Sequence, residues 1–286
     1  MTVRIGILGG SGLYDLPALA GREERTVATP FGAPSDVYVL GALSGVPVAF
    51  LARHGRGHRL SPSEIPFRAN VFGFKALGCD AILSASAVGS LREELAPSHV
   101  CVPDQFIDRT RSRIDTFFRD GIVAHVSLAD PVCPSVSGAL AASARKAGAV
   151  VHEGGTYVCM EGPPFSTRAE SNLYRSWGAS VVGMTNLTEA KLAREAEICY
   201  GTMALVTDYD CWREATEEVS VEMVLGVLRG NAEMAQRALL TAVSRVDPGR
   251  GCSCRDALRD AIVTDPAHIS GRVRADLAPI LGRRFP

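Results

Sequence analysis

Five short segments hold residue types from which a binding site can be built. Ile7-Leu8-Gly9-Gly10-Ser11-Gly12-Leu13 runs from an apolar stretch into a glycine turn. Glycines let backbone N–H groups close on an anion, and Ser11 adds a hydroxyl. The turn serves equally as a plain tight connection. It lacks the lysine of a P-loop, and Asp15 stands where a dinucleotide fingerprint has its last glycine. Leu51-Ala52-Arg53-His54-Gly55-Arg56-Gly57-His58 gathers cations directly after an apolar run. A guanidinium binds oxyanions through paired N–H groups and an imidazole can donate another, so this density of donors favours an anion site over a solvated loop. Ser84-Ala85-Ser86-Ala87-Val88-Gly89-Ser90 offers hydroxyls and accessible amides, although a tightly packed strand end has the same composition. Three such loops at three strand ends point to one phosphate pocket.

The other two segments are of a different kind. Val181-Val182-Gly183-Met184-Thr185 ends in a thioether and a hydroxyl, where a methionine is ordinarily core filler. Val206-Thr207-Asp208-Tyr209-Asp210-Cys211-Trp212 sets two carboxylates at the end of an apolar run. If the strand continues, the i, i+2 spacing puts both on one side. Two close carboxylates push one pKa upward, which suits proton sharing with a basic nitrogen. The pair also reads as a turn cap or a metal-type pair, but no histidine or further acidic cluster flanks it, so metal is disfavoured.

Elements able to position these loops alternate along the chain. Val3–Leu8, Val37–Leu40, Val46–Ala52 and Ala81–Ala85 read as strands, as do Ala179–Met184 and Cys199–Val206. Phe67, Val71, Phe74 and Leu77 recur at helical spacing before Gly78. Ser166-Thr167-Arg168-Ala169-Glu170 resembles a capped helix start running to Trp177, and further helices are expected over Glu189–Ala196 and Val221–Val243. Alternation of this kind predicts a layered α/β domain whose ligands gather at the carboxyl ends of strands. The loops after Leu8, Ala52, Ala85, Gly183 and Val206 are therefore the ones of interest.

Composition narrows the class. The 286 residues carry 30 Lys+Arg against 31 Asp+Glu, a net charge of −1, so no global field favours nucleic acid or an acidic membrane. Only Lys75, Lys146 and Lys191 are lysines. With 47% hydrophobic and 21% charged residues the chain is an ordinary globular sequence with a sizeable core. No apolar run approaches membrane-span length and the N-terminal run is too brief for a signal peptide, so a cytoplasmic protein is expected. Cys79, Cys101, Cys133, Cys159, Cys199 and Cys211 are scattered and read as small buried hydrophobes. Cys252-Ser253-Cys254 sits in a polar stretch. Its one-residue spacer is too tight for the usual zinc knuckle and no partner pair lies near it in sequence, leaving a labile or stapling disulfide or a surface pair.

Taken in order, the motifs resemble the trimeric purine nucleoside phosphorylases, and within them the methylthioadenosine phosphorylases. The matching stretches are Gly9-Gly10-Ser11-Gly12-Leu13-Tyr14, Leu51-Ala52-Arg53-His54-Gly55-Arg56, Gly89-Ser90-Leu91-Arg92-Glu93-Glu94, Asp104-Gln105-Phe106-Ile107-Asp108-Arg109-Thr110, Glu161-Gly162-Pro163, Arg168-Ala169-Glu170-Ser171, Gly183-Met184-Thr185 and Thr207-Asp208-Tyr209-Asp210-Cys211-Trp212. Eight colinear motifs over roughly residues 1–245 are far more specific than one glycine pattern. The resemblance implies one α/β domain with a central mixed β-sheet flanked by helices over 1–245, and a C-terminal extension over 246–286 packing on or trailing from it. It implies attack of inorganic phosphate on C1′ of S-methyl-5′-thioadenosine, releasing adenine and 5-methylthioribose 1-phosphate.

The same resemblance assigns residues. Ser11, Arg53, His54, Ser86, Ala87 and Thr185 would hold phosphate; Met184 would lie against the ribose and Phe165 beside the purine. Asp208 would share a proton with N7, and Asp210 would orient that contact or accept from the 6-amino group. Val221, Val224 and Leu225 would line the alkylthio pocket. His125 would reach in from a neighbouring subunit of a homotrimer, which could pair into a hexamer. No metal or organic cofactor is implied, phosphate being a co-substrate, and the partners are a small nucleoside and phosphate, without nucleic acid or membrane. The chain departs from the family in two places: Pro164 stands where Arg usually follows Glu-Gly-Pro, and Thr188 where proline is common. Ser11 and Ser86 replace frequent threonines but keep the hydroxyl. Remaining alternatives are a phosphorylase for methylthioinosine, adenosine or 6-oxopurine nucleosides, a nicotinamide-dependent dehydrogenase, and a non-catalytic nucleotide-binding module. The dehydrogenase lacks its last glycine and an acidic residue ending a second strand.

Overall fold

The computed structural model describes residues 3–213, 221–247, 251–282 and 284–285, with the backbone alone for 221–225. Eleven strands form one mixed sheet: β1 (Ile5–Gly9), β2 (Ala20–Arg25), β3 (Tyr38–Leu43), β4 (Val46–Ala52), β5 (Ala81–Ser90), β6 (Val100–Val102), β7 (Gln105–Arg109), β8 (Val151–Glu153), β9 (Thr156–Met160), β10 (Val181–Gly183) and β11 (Cys199–Asp208). The helices are α1 (Phe67–Ala76), α2 (Pro134–Lys146), α3 (Arg168–Ser176), α4 (Asn186–Glu195), α5 (Val221–Ala242), α6 (Gly271–Asp276) and α7 (Ala278–Leu281).

The parallel centre, β4-β1-β5-β11, is almost wholly buried, as expected for strands covered on both faces. On one face α2 and α5 set Val136, Leu140, Met234 and Leu239 against Ile7, Leu83 and Met203. On the other, Phe67, Val71 and Phe74 of α1 join Leu192 of α4 and Ile198. Burying each of these large side chains contributes about 1.5–3 kcal/mol. The helix α1 ends as its sequence predicts, with Gly78 at φ 90° and the Cys79 N–H donating to Phe74 O (3.0 Å). At the start of α3, Thr167 and Glu170 form a reciprocal capping box.

Strand β5 organises the site. Its residues Ala81–Ala85 pair with β1, while Gly89 and Ser90 pair with β10 on the same edge, and β11 runs along the other. Ser86, Ala87 and Val88 fall between the two registers, and there the sheet opens into a cavity. The strand expected to stop at Ala85 thus continues to Ser90, because β11 and β10 supply partners that local composition does not reveal. The strands β2 and β6–β9, and the helix α2, carried no clear signal either. Strand β2 is polar and exposed along its whole length, and β6 and β8 have three residues each.

Residues 251–282 and 284–285 are not a loose tail. Leu258, Ala261, Ile269, Leu277, Ile280 and Leu281 are buried in the same cluster as α1 and α4, and Arg284 pairs with the buried Glu197 (2.8 Å). The cysteines of this segment also have partners that sequence spacing concealed. All eight cysteines are free thiols, and Cys252 and Cys254 lie beside Cys133 and Cys199. Among the described residues no helix is long and apolar enough to cross a membrane.

Candidate active site

A cavity of about 630 Å³ opens at the carboxyl ends of the central strands. All five loops singled out above contribute to it: Ser11 after β1, Arg53 and His54 after β4, Ser86–Gly89 of β5, Met184 and Thr185 after β10, and Thr207, Asp208 and Asp210 at the end of β11. Phe165 and Leu228 also line it. Arg53 and Asp208 therefore face one cleft. His125 does not line this chain's own cavity; it is exposed, on the segment whose N–H donates to Ala261 O (2.8 Å). Val221 and Val224, with Leu225, lie on the described backbone of α5, but their side chains are outside the described residues.

The Arg53 end of the cavity is built from a locked network. Arg53 is fully buried, with Nε and Nη2 (3.1 Å) donating to the Glu189 carboxylate, Nη2 to Ser84 Oγ (2.6 Å) and Nη1 to Ala85 O (3.0 Å). Four of its five N–H groups are thus engaged inside the protein, leaving one Nη1 proton. The freely forked guanidinium expected from sequence is in fact half of a buried ion pair. Glu189 is held in turn by Tyr200 OH (2.7 Å), whose own ionisation burial suppresses. The two N–H groups of Asn186 Nδ2 lie within hydrogen-bond reach of Ser84 Oγ (3.0 Å), Tyr200 OH (2.8 Å) and Thr202 Oγ1 (3.0 Å), and its Oδ1 accepts from Ser86 Oγ (2.5 Å). Gly10 permits this closeness: a Cβ there would lie 2.4 Å from Arg53 Nη1 and 2.6 Å from Ala85 O.

Thr185 is the residue before the first turn of α4, and its hydroxyl makes no capping bond within the helix. The free N–H groups of that turn and the helix dipole favour an anion beside it. His54 differs from its expected role. Nδ1 lies 2.8 Å from Leu60 O, and a carbonyl only accepts, so Nδ1 carries the proton. Burial, and then the Arg53 charge, push the imidazole pKa down to about 4. It is neutral near pH 7, and Nε2 presents a lone pair, suited to a protonated phosphate oxygen and unable to donate.

The opposite end is looser. A bulge precedes Asp208, and Asp210 sits at φ 51°, so the strand does not continue as the i, i+2 reading required. A turn brings the carboxylates together instead: the Asp210 N–H donates to Asp208 Oδ1 (2.7 Å), and Thr207 Oγ1 donates to Oδ2 (2.7 Å). Burial and the nearby Asp208 charge raise the pKa of Asp210. Its Oδ2 is buried without a hydrogen-bond partner. Trp212 pins the turn, donating to Ser90 O (2.7 Å) under the Arg175 guanidinium, 3.6 Å from the ring centre. Phe165 stands at the mouth, 84% exposed. The missing arginine after Glu161-Gly162-Pro163 leaves Glu161 with Arg113 as its cation, which also donates to Met184 O and approaches Thr188 Oγ1 (3.4 Å).

Sequence reasoning missed Glu189 and Asn186, which hold the anion end in shape. The available signal was an acid four residues after Thr185, on a helix turn that must face the cavity.

A mixed sheet whose strand ends converge on one cavity, with a buried arginine at one side and a carboxylate turn at the other, defines a small-molecule site of an α/β enzyme. The chain belongs to the phosphorylase superfamily, whose family model matches residues 4–244. The S-methyl-5′-thioadenosine phosphorylase of Geobacter sulfurreducens is 57% identical over 279 residues, covering 97% of this chain and 98% of that one. That of Koribacter versatilis is 55% identical, covering 100% and 98%. Among solved structures, a methylthioadenosine phosphorylase from an Antarctic soil metagenomic library matches with TM-score 0.93 at 48% identity over 98% of this chain and 100% of its own. The Schistosoma mansoni methylthioadenosine phosphorylase bound to adenine matches with TM-score 0.82 at 36% identity over 99% of each chain.

Proposed function

We propose that the cavity performs phosphorolysis of S-methyl-5′-thioadenosine, giving adenine and 5-methylthioribose 1-phosphate. The observation that carries this reading is the placement of Arg53 and Asp208 on one cleft, with an anion cradle at one end and a proton-sharing carboxylate pair at the other. Relatives sharing more than half their residues with this chain carry that activity in their names, and a Schistosoma mansoni variant has been solved with methylthioadenosine bound.

Phosphate sits against Ser11, the free Nη1 proton of Arg53, His54 Nε2, Ser86, the Ala87 segment and Thr185. As the glycosidic bond lengthens, the sugar gains positive charge and the base negative charge. The phosphate anion stabilises the first and a shared proton on N7 the second, so both ends of the transition state are addressed by groups already in place. Asp208 faces N7, and Asp210, the carboxyl with raised proton affinity, is its partner or accepts from the 6-amino group. An aspartate there accepts from an amino group and repels a 6-oxo oxygen, which selects aminopurines. Met184 underlies the ribose and Phe165 the purine. Val221, Val224 and Leu225, seven, four and three residues before the cavity residue Leu228, take the alkylthio group. His125 completes a neighbour's site in a homotrimer. No metal or organic cofactor takes part in the chemistry, and the enzyme works in the cytoplasm.

The test is a panel of purine nucleosides assayed with and without phosphate. Methylthioadenosine should be consumed only with phosphate, yielding the 1-phosphate sugar. Release of free methylthioribose without phosphate would make the protein a hydrolase, and faster turnover of inosine would move it to the 6-oxopurine enzymes.

A further inference from the structure

We propose that Cys133, Cys199, Cys252 and Cys254 form a tetrahedral four-thiolate site for one zinc ion, which fastens the C-terminal segment to the sheet. The four sulfurs come from three separate places. Cys133 precedes α2, Cys199 is the first residue of β11, and Cys252 and Cys254 flank the entry to a 3-10 turn at Ser253–Asp256. Cys252 is extended (φ −135°, ψ 135°) and the chain turns immediately after it, which swings two sulfurs separated by one residue to the same side.

All four sulfurs lie within 4.8 Å of one another, and Cys133 Sγ is 3.6 Å from Cys252 Sγ. A zinc ion with bonds of ~2.3 Å at tetrahedral angles requires sulfur–sulfur edges of about 3.8 Å. One edge of the cluster is thus already at that spacing, and no other exceeds it by more than about 1 Å, a shift that side-chain rotation supplies. Among the described residues it is the one group of histidine, cysteine or acidic side chains so arranged. Cys133, Cys199 and Cys254 are buried and Cys252 is half-buried, an environment that excludes water but leaves an approach from one side. Soft thiolates in a tetrahedral set select zinc over the hard cations.

Binding is a simple exchange: Zn²⁺ replaces up to four thiol protons, which leave to solvent, with no change of oxidation state. Four thiolates and one dication leave two negative charges. The N-terminus of α2 faces them, with the Val136 N–H directed at the Cys133 sulfur, and Arg194 acts on Cys254. The site has no part in the phosphorolysis, because Cys199 and Asp208 are opposite ends of β11, roughly 30 Å apart at 3.3 Å per residue.

The full-length protein, purified under reducing conditions, should contain about one zinc per chain by elemental analysis. Replacing zinc with Co²⁺ should give the intense thiolate charge-transfer and tetrahedral d–d absorption of a four-sulfur site. Cys252→Ser, which alters the least buried ligand, should weaken Co²⁺ binding by more than about 100-fold, since even the groups that merely support metal ligands cost 10–100-fold. Cys211→Ser, outside the cluster, should leave the spectrum unchanged. Should Cys252→Ser not fold, the wild-type stoichiometry and cobalt spectrum still decide. Reduced protein that takes up neither metal overturns the proposal. So does a purified chain in which intact-mass analysis finds these cysteines paired as disulfides, or a cobalt spectrum that Cys252→Ser leaves untouched.

Discussion

The two ends of the cavity are built on opposite principles. At the proposed anion end Arg53, Ser86, Thr185 and His54 are each 5% exposed or less, and four of the five Arg53 N–H groups, the Ser86 hydroxyl and His54 Nδ1 are already bonded to the protein. At the base end Asp208 and Asp210 sit on a turn after a bulge, one carboxylate oxygen has no partner, and Phe165 is 84% exposed. Phosphate is small and strongly hydrated, so a site for it must replace its water with donors that need no reorganisation. The nucleoside is large and must enter and leave, which demands a wall that ligand binding completes. The difference predicts that substitutions at the anion end are read mainly in stability, and those at the base end in turnover.

The largest effect should come from Arg53→Ala. Removing one partner of a buried pair leaves Glu189 charged and uncompensated, at a cost of about 3–5 kcal/mol, visible as a lower urea midpoint. Arg53→Met with Glu189→Gln should recover most of that stability while still demanding more phosphate for half-maximal rate. A stable Arg53→Ala would mean that the pair is not the keystone of this end. The converse holds for Asp208→Asn: the methylthioadenosine rate should fall by about 10²–10⁴-fold with the unfolding midpoint moved by less than about 1 kcal/mol. The ratio of inosine to adenosine cleavage should rise with it, and an unchanged ratio removes Asp208 from base selection.

The first of these predictions could not have been made from sequence, and the reason is physical. Spacing and strand-end position placed Arg53, Ser86, Thr185 and Asp208 at loops that do converge, because a strand's direction and its following loop are local properties. Glu189 is 136 residues from Arg53, and only the fold discloses that a helix acid and a loop arginine share one buried volume. The same holds for Asp210, whose closeness to Asp208 comes from a left-handed turn and not from the pleat. It holds again for Cys252 and Cys254, whose partners lie more than fifty residues away. The central strands were legible because burial on both faces writes a continuous apolar run. Strand β2, polar and exposed at a sheet edge, had no such pattern to leave.

His54 links the two behaviours through pH. It is neutral in the fold, with its pKa pushed down to about 4, and ordinary at 6.5 when the chain is unfolded. Between those values the unfolded chain binds the extra proton, so stability falls as pH drops from about 6.5 towards 4. At 1.36 kcal/mol per unit the loss approaches about 3 kcal/mol. Urea midpoints at pH 7 and 4.5 should therefore differ less in His54→Gln than in the parent chain. Equal losses would mean that the imidazole is not held neutral, and the acceptor role of Nε2 would go with it.

The smallest effect expected is that of Phe165→Ala, and it isolates the base end most cleanly. An exposed ring contributes little to folding, so the unfolding midpoint should hold within about 0.5 kcal/mol. Once a purine lies against it, the ring is covered and the pair gains about 0.5–1.5 kcal/mol beyond area burial. KM for methylthioadenosine should then rise by up to about tenfold, while the phosphate requirement stays where it was. If phosphate saturation moved instead, the ring would be acting on the anion end. The division of the cavity into a rigid cradle and a wall completed by its ligand would then be wrong.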